Sequence, residues 1–102
     1  PKIKTPAKSK QSTHVFHQYT LVLEGVDHFK LQEYLQGKGI PAMIYYPVPL
    51  HLQKAYADLG YKEGDLPITE MLCEKVLSLP MHTELTEDQL ELITSSILDF
   101  IK

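Results

Sequence analysis

Histidine is the residue type in this sequence that most directly suggests chemistry, because five histidines occur among 102 residues. His14 and His17 are a candidate metal-binding pair, three positions apart. They lie at the entrance of a predicted strand, where side chains at this spacing point to opposite faces and cannot close on one ion without a bend. His51 and His82 lie in predicted loops, and no second cysteine is available as a zinc ligand. We therefore predict no metal site.

The single cysteine, Cys73, is a candidate nucleophile, but its neighbours do not activate it. It falls in the middle of a predicted helix beside Leu72 and Val76, without a cationic partner or helix N-terminus that would favour the thiolate. We predict that it packs as a small apolar side chain. The sequence contains no Gly-x-Gly-x-x-Gly, Walker or Gly-x-Ser-x-Gly motif, so it has no recognisable phosphate-binding loop or nucleophile elbow.

The strongest candidate site residues lie in the segment YYPVPLH, which runs from Tyr45 to His51. Its two prolines restrict the backbone, so we expect Leu50 to be fixed in the core and the imidazole of His51 to be exposed in a defined direction. An exposed and rigidly held histidine can donate a hydrogen bond to an oxygen atom of a ligand. A second interpretation stays open, in which the segment is a structural corner and Tyr45 and Tyr46 pack into the core.

Composition and charge narrow the class of protein. The formal net charge is -3, from ten lysines, no arginine and thirteen acidic residues. The negative charge and the absence of arginine disfavour nucleic-acid binding, because arginine is the side chain that usually binds phosphates and guanine edges. One cysteine cannot form an internal disulfide, so a reducing, cytoplasmic location is expected. No apolar run approaches the roughly 18 residues of a membrane span, so we expect no membrane partner. Because the first residue is Pro1, we expect a piece of a longer protein.

The apolar pattern predicts a small α/β domain over residues 15–102, preceded by a flexible linker or arm over residues 1–14. The first strand is expected over residues 15–23, which are rich in β-branched and aromatic side chains. A helix then begins after Asp27, which offers an N-cap, and ends at a pair of glycines.

The remaining predicted elements are two strands and three helices. Residues 42–46 and 77–80 are short strands, and the first is bounded by prolines, which cannot donate to the interior of a ladder. Residues 52–59 form a short helix, and a second helix begins at Pro67. The last helix begins after Thr86, because Thr86 and the glutamine three residues later form a capping box.

Three stretches of the chain resemble one known family in the same order and spacing. They are VFHQYTL, GKGIPAMIYYPVPLHLQKAYADLGYKEGDLPITE and VLSLPMHTELTEDQ. From about Thr13 to its end, the chain is similar to the C-terminal small domain of the DegT/DnrJ/EryC1/StrS family of pyridoxal-phosphate-dependent sugar aminotransferases. The resemblance implies an α/β fold of α+β-like type, with a small, mainly antiparallel sheet of about three strands layered with helices, as in the C-terminal domain of fold-type-I aminotransferases.

The resemblance also implies which residues face the substrate. His51 matches the histidine of the family's Pro-x-Pro-Leu-His stretch, which lies toward the active-site cleft near the sugar nucleotide. Tyr45 and Tyr46 match the aromatic or histidine pair just before that stretch. His17 and Tyr19 match a His-x-Tyr pattern on the first strand. All of these except Tyr19 are expected to bind the substrate.

Two positions receive no functional role from the resemblance. His82 lies in the Leu-Pro-Met-His stretch, where relatives vary, so we interpret it as structural. Val22 stands where many relatives have an arginine, so no carboxylate-binding role is expected for this strand.

The parts of the family's active site that hold the cofactor have no counterpart in this chain. Transamination needs a lysine that forms an imine, an acidic partner for the pyridine nitrogen and a phosphate-binding loop. The resemblance therefore implies that the intact enzyme binds pyridoxal phosphate on a separate large domain. This chain alone is expected to bind no cofactor and to be inactive.

The resemblance implies a function for the intact enzyme, which we expect to be a homodimer. It would transfer an amino group, from glutamate, to a keto group on a nucleotide-linked sugar, in the biosynthesis of amino sugars for cell-surface polysaccharide. The alternative is a non-catalytic module that binds a small ligand or another protein, because a small sheet layered with helices also builds regulatory domains.

Overall fold

A three-stranded antiparallel sheet forms the centre of the computed structural model, which describes residues 1–102. Its strands, in spatial order, are β1 (Ile3–Lys4), β2 (Tyr19–Leu23) and β3 (Val76–Leu79). The helices are α1 (His28–Gly37), α2 (Pro67–Lys75) and α3 (Glu87–Ile101). The predicted fold class, a small antiparallel sheet layered with helices, is confirmed. None of these helices has the length and apolar character needed to cross a membrane.

The hydrophobic core lies on one face of the sheet. Leu21 and Leu23 of β2 share this face with Leu77 of β3, because side chains alternate along a strand and Leu21 is paired with Leu77. Helices α1 and α3 contact each other beside this face, and their buried side chains complete the core with Leu31, Leu35, Ile93 and Ile97. The sheet and two of the three helices therefore share a single core.

β2 is shorter than the predicted strand over residues 15–23, so that boundary is wrong. The strand begins at Tyr19, and Val15 is 89% exposed. The cause lies in the partner strand: Tyr19 pairs with Leu79, and the next residue of the partner is Pro80, which has no backbone N–H to continue the ladder. Residues before Tyr19 therefore have no strand to pair with on this side.

The first strand of the sheet comes from the segment that we predicted as an arm. Ile3 pairs with Leu23 and Lys4 with Val22, and the Glu24 N–H donates to the Lys2 carbonyl at 2.8 Å. The side chain of Ile3 also packs against the core. A strand therefore lies within residues 1–14, because β2 offers an edge for pairing and Ile3 supplies an apolar side chain for burial.

The predicted strand over residues 42–46 is reduced to a single bridge, so that element is wrong as a strand. Met43 exchanges both backbone hydrogen bonds with Ser78, at 2.9 and 2.7 Å. Ala42 and Ile44 are buried in the core, but the chain then leaves the sheet. Pro41 lacks the N–H group that would extend this ladder in one direction, and in the other direction the Val76 N–H already donates to the Leu72 carbonyl at the end of α2.

The helix starts that we predicted from local signals are confirmed. The Asp27 carboxylate accepts from the N–H groups of Phe29 and Lys30 at 3.0 and 3.1 Å, which caps α1. Thr86 and Gln89 form both bonds of the capping box at 3.3 and 3.0 Å. These starts depend on side chains within one turn, and they do not need tertiary contacts.

The predicted helix over residues 52–59 is replaced by two 3₁₀-helical turns, at Leu50–Leu52 and Lys54–Leu59. The second turn contains no buried residue. A segment without an apolar face to bury gains little from forming a full α-helix, since tertiary packing supplies most helical stability in proteins.

Candidate functional site

His51, the leading candidate from the sequence, lies inside the protein. The residue is only 7% exposed, whereas Leu50 is 59% exposed. The prediction of a buried Leu50 and an exposed imidazole is therefore wrong. A 3₁₀ turn begins directly after Pro49, whose carbonyl accepts from the Leu52 N–H at 2.9 Å, and this turn directs His51 inward and Leu50 outward.

The imidazole of His51 has a charged partner on α2. Its Nε2 lies 2.8 Å from Oε1 of Glu70, in the first turn of that helix. A carboxylate can only accept, so Nε2 carries the hydrogen of this bond. The other ring nitrogen, Nδ1, is buried and has no hydrogen-bond partner. The ring is therefore held in the protein by one strong polar contact.

Glu70 joins three parts of the chain, and our sequence reasoning missed it. Besides the bond from His51, its carboxylate accepts from the Gly64 N–H at 3.0 Å to each oxygen and from the Leu66 N–H at 3.4 Å. The Gly64 N–H, followed by the His51 side chain, holds the pKa of Glu70 below its ordinary value. The available signal was an acidic residue in the first turn of a helix, just after a glycine-containing turn.

His17 and Tyr45 come together at the end of the sheet, although they are far apart in the sequence. Both line a cavity of about 260 Å³, together with Gln18, Ser78 and a rim of apolar residues. We name this cavity the His17–Tyr45 pocket. The imidazole of His17, the amide of Gln18 and the phenol of Tyr45 can donate and accept hydrogen bonds there, whereas the Ser78 hydroxyl is already bonded to Oγ1 of Thr20 at 2.8 Å. Such a set of polar groups suits a ligand with many hydroxyls.

Tyr46 lies outside this pocket, on a neighbouring apolar groove of about 380 Å³. It is 66% exposed, and its ring meets that of Tyr45 edge-on at 5.6 Å. Tyr45, at 38% exposed, lines both cavities. The interpretation in which both tyrosines pack into the core is therefore wrong. Of the four predicted substrate-binding residues, the structure brings two together in one pocket, places Tyr46 beside it and buries His51.

Cys73 and His82 differ in burial. Cys73 is partly buried, and this burial, with the nearby charge of Glu74, raises the pKa of its thiol. A raised pKa leaves less of the nucleophilic thiolate at neutral pH. Nδ1 of His82 accepts from the Glu84 N–H at 3.2 Å within the same turn.

Comparison with known proteins places these features in a family. Residues 1–98 match the model of the DegT/DnrJ/EryC1/StrS aminotransferase family. The chain is 46% identical over 98 residues to a "pleiotropic regulatory protein" of Geobacillus stearothermophilus, covering 96% of this chain and 26% of that protein. It is 44% identical over 84 residues to a UDP-N-acetyl-3-dehydro-alpha-D-glucosamine 3-aminotransferase of Acidithiobacillus ferrooxidans, covering 82% and 22%.

A solved structure shows the same fold. The crystal structure of Streptomyces venezuelae DesV in complex with a ketimine intermediate superposes with a TM-score of 0.88 and 31% identity, covering 100% of this chain and 27% of that one. The chain therefore spans about a quarter of the length of the proteins that it matches.

Proposed function

The chain belongs to the DegT/DnrJ/EryC1/StrS aminotransferase family, and on this basis we propose that it is one part of a longer pyridoxal-phosphate-dependent aminotransferase. The longer enzyme would transfer the amino group of glutamate to a keto group on a nucleotide-linked sugar and release 2-oxoglutarate. The observation that carries the proposal is the match over residues 1–98, joined to relatives named as aminotransferases of UDP- or dTDP-linked sugars. The resemblance further implies a cytoplasmic homodimer that serves amino-sugar biosynthesis.

The residues of this chain do not fit pyridoxal phosphate, so the cofactor would belong to the remainder of the longer protein. When bound, pyridoxal phosphate acts as an electron sink on a lysine imine. No lysine lines any of five cavities at the surface of this chain. Lys75, the least exposed lysine in an ion pair, lies 2.8 Å from Glu24 at the surface. We therefore assign no cofactor contact to these residues.

The part that we propose for this chain is recognition of the sugar nucleotide. The His17–Tyr45 pocket supplies polar side chains and an aromatic face, which together suit a ring that bears hydroxyl groups. Tyr46 extends the aromatic surface next to it. His51 would support this surface without contacting the substrate, since its ring is buried. The substrate contacts proposed for the chain are thus His17, Tyr45 and Tyr46, with His51 in a supporting position.

A matched pair of histidine variants tests the pocket in the longer protein. With glutamate and UDP- or dTDP-linked keto sugars, His17→Ala should raise KM for the sugar nucleotide about tenfold, because one hydrogen bond of ordinary strength is lost. His14→Ala is the control, since His14 is exposed and does not line the pocket. Equal KM values for the two variants would contradict the assignment of His17.

The isolated chain distinguishes this proposal from a non-catalytic ligand-binding module. Addition of pyridoxal phosphate followed by borohydride should leave no stoichiometric adduct on a single lysine, because no lysine lines any of the five cavities named above. Calorimetry should likewise show no tight binding of amino acids, because the proposed pocket is assigned to the sugar nucleotide. Tight and specific binding of an amino acid by the chain alone would favour the module and contradict our proposal.

A further inference from the structure

The two tyrosines of the proposed site lie on a segment that is fastened at its two ends. We name residues 44–50 the tyrosine strap. Just before the strap, Met43 and Ser78 exchange two backbone hydrogen bonds at 2.9 and 2.7 Å. Just after it, His51 bonds Glu70 at 2.8 Å. The strap is therefore tied to the sheet at one end and to α2 at the other.

Between these ends, no hydrogen bond joins the strap to the sheet or to a helix. The carbonyls of Pro49 and Leu50 accept from Leu52 and Gln53, and the Val48 carbonyl accepts from the Gln53 side chain at 3.3 Å. All of these bonds lie within the same stretch of chain. Position and direction of the strap therefore depend on its two end attachments and on the packing of its side chains.

Glu70 is built to serve as the second attachment. Its carboxylate receives the Gly64 and Leu66 N–H groups as well as Nε2 of His51, so the turn, the helix and the strap meet at one side chain. The imidazole cannot turn toward water for another partner because His51 is only 7% exposed. Since Nδ1 has no partner, the bond to Glu70 is the sole hydrogen bond of the ring.

We propose that Glu70 is a positioning residue, which fixes His51 and thereby holds Tyr45 at the His17–Tyr45 pocket and Tyr46 on the groove beside it. The inference rests on the proposed function for the part that concerns substrate. The prolines at positions 47 and 49 make the connection stiff, because each fixes one backbone angle between His51 and Tyr46. With two backbone angles fixed, less of a movement of His51 can be absorbed before it reaches the tyrosines.

Amide hydrogen exchange on the isolated chain tests the attachment directly. In Glu70→Ala, the Leu52 and Gln53 amides should exchange about tenfold faster, because the bond that orders the adjoining turn is lost. Amides of α3 should be unaffected. Glu74→Ala is the matched control, since Glu74 is an exposed glutamate of the same helix with no side-chain hydrogen bond. Equal exchange in both variants, or an equal increase throughout α3, would overturn the proposal.

Two further measurements keep the proposal decidable if Glu70→Ala does not fold. Glu70→Gln retains one oxygen that can accept from Nε2 of His51, so it should restore most of the protection lost in Glu70→Ala. In the unmodified chain, a long-range proton–nitrogen NMR spectrum should show His51 protonated at Nε2. A His51 ring with its proton on Nδ1 and a bare Nε2 would overturn the proposal without any substitution.

The role in substrate binding is tested in the longer protein. Glu70→Ala should raise KM for the sugar nucleotide about tenfold with a smaller change in kcat, and Glu70→Gln should recover most of the affinity. If the wild type is an active aminotransferase and Glu70→Ala has the same KM, the positioning role is overturned and the proposed function is not. Absence of activity in the wild type would contradict the proposed function, and the exchange and NMR results would still decide whether Glu70 holds His51.

Discussion

Removal of the His51 side chain should destabilise the protein, which is the opposite of what an exposed position would predict. The ring is almost fully buried and donates to an ionised carboxylate at 2.8 Å. Hydrogen bonds to charged groups contribute roughly 1.5 to 3 kcal/mol. Glu70 keeps the Gly64 and Leu66 N–H groups after the change, so it is not left without partners. We therefore expect His51→Ala to lower the free energy of unfolding by about 2 kcal/mol.

Thermal unfolding followed by circular dichroism measures this effect. For a domain of this size, a loss of about 2 kcal/mol corresponds to a decrease in Tm of about 10 °C. His82→Ala is the control, because His82 is exposed and its change should stay within about 0.5 kcal/mol. His51→Gln places an amide N–H near the position of Nε2 and should recover part of the loss. A Tm for His51→Ala equal to that of His82→Ala would refute the reasoning.

Three other features give separate predictions. Thr86→Ala should lower the free energy of unfolding by about 1 kcal/mol through loss of the α3 cap, so an unchanged urea midpoint would contradict the capping box. The pKa of Glu70 is lowered by the Gly64 N–H and by His51. The ionised carboxylate of Glu70 therefore adds to the free energy of unfolding above the unfolded-state pKa, and this contribution disappears as pH falls through the folded-state pKa. The urea midpoints of wild type and Glu70→Gln should therefore converge as the pH falls below the folded-state pKa of Glu70, and a gap that widens on acidification would contradict this. The pKa of Cys73 is raised by burial, so at neutral pH the folded chain should react more slowly with a thiol reagent than the urea-unfolded chain; equal rates would contradict it.

The parts of the fold that the sequence predicts well depend on near neighbours. Asp27 and Thr86 were identified correctly as helix N-caps because each cap bonds residues within the following turn. Pro67 likewise marks the first turn of α2. These signals are complete within a few residues, so tertiary structure has little opportunity to change them.

The parts that the sequence did not predict depend on distant partners. β2 stops at Tyr19 because its partner strand reaches Pro80, and β1 forms because Ile3 finds the free edge of β2. The buried orientation of His51 depends on Glu70, which lies nineteen positions later in the sequence. The two prolines before His51 show that the backbone there is restricted, but they carry no information on which side of the turn the Glu70 carboxylate lies.

In the candidate site, too, the identity of residues could be predicted from the sequence, whereas contacts between distant segments could not. The resemblance named His17 and Tyr45, and the structure shows that they line one pocket. Their proximity arises because the bridge between Met43 and Ser78 brings the start of the strap to the edge of β3, next to the segment before β2. This pairing spans a long stretch of sequence, so the periodicity of either segment alone could not have predicted it.

Isotope tracing in the longer protein tests the central claim most directly. The protein, loaded with pyridoxal phosphate, is incubated with glutamate carrying heavy nitrogen and with a UDP- or dTDP-linked keto sugar, and the sugar nucleotide is analysed by mass spectrometry. Our account predicts an amino-sugar nucleotide that contains the heavy nitrogen, formed in equal amount with 2-oxoglutarate. A sugar nucleotide that gains no heavy nitrogen from the labelled glutamate would contradict it.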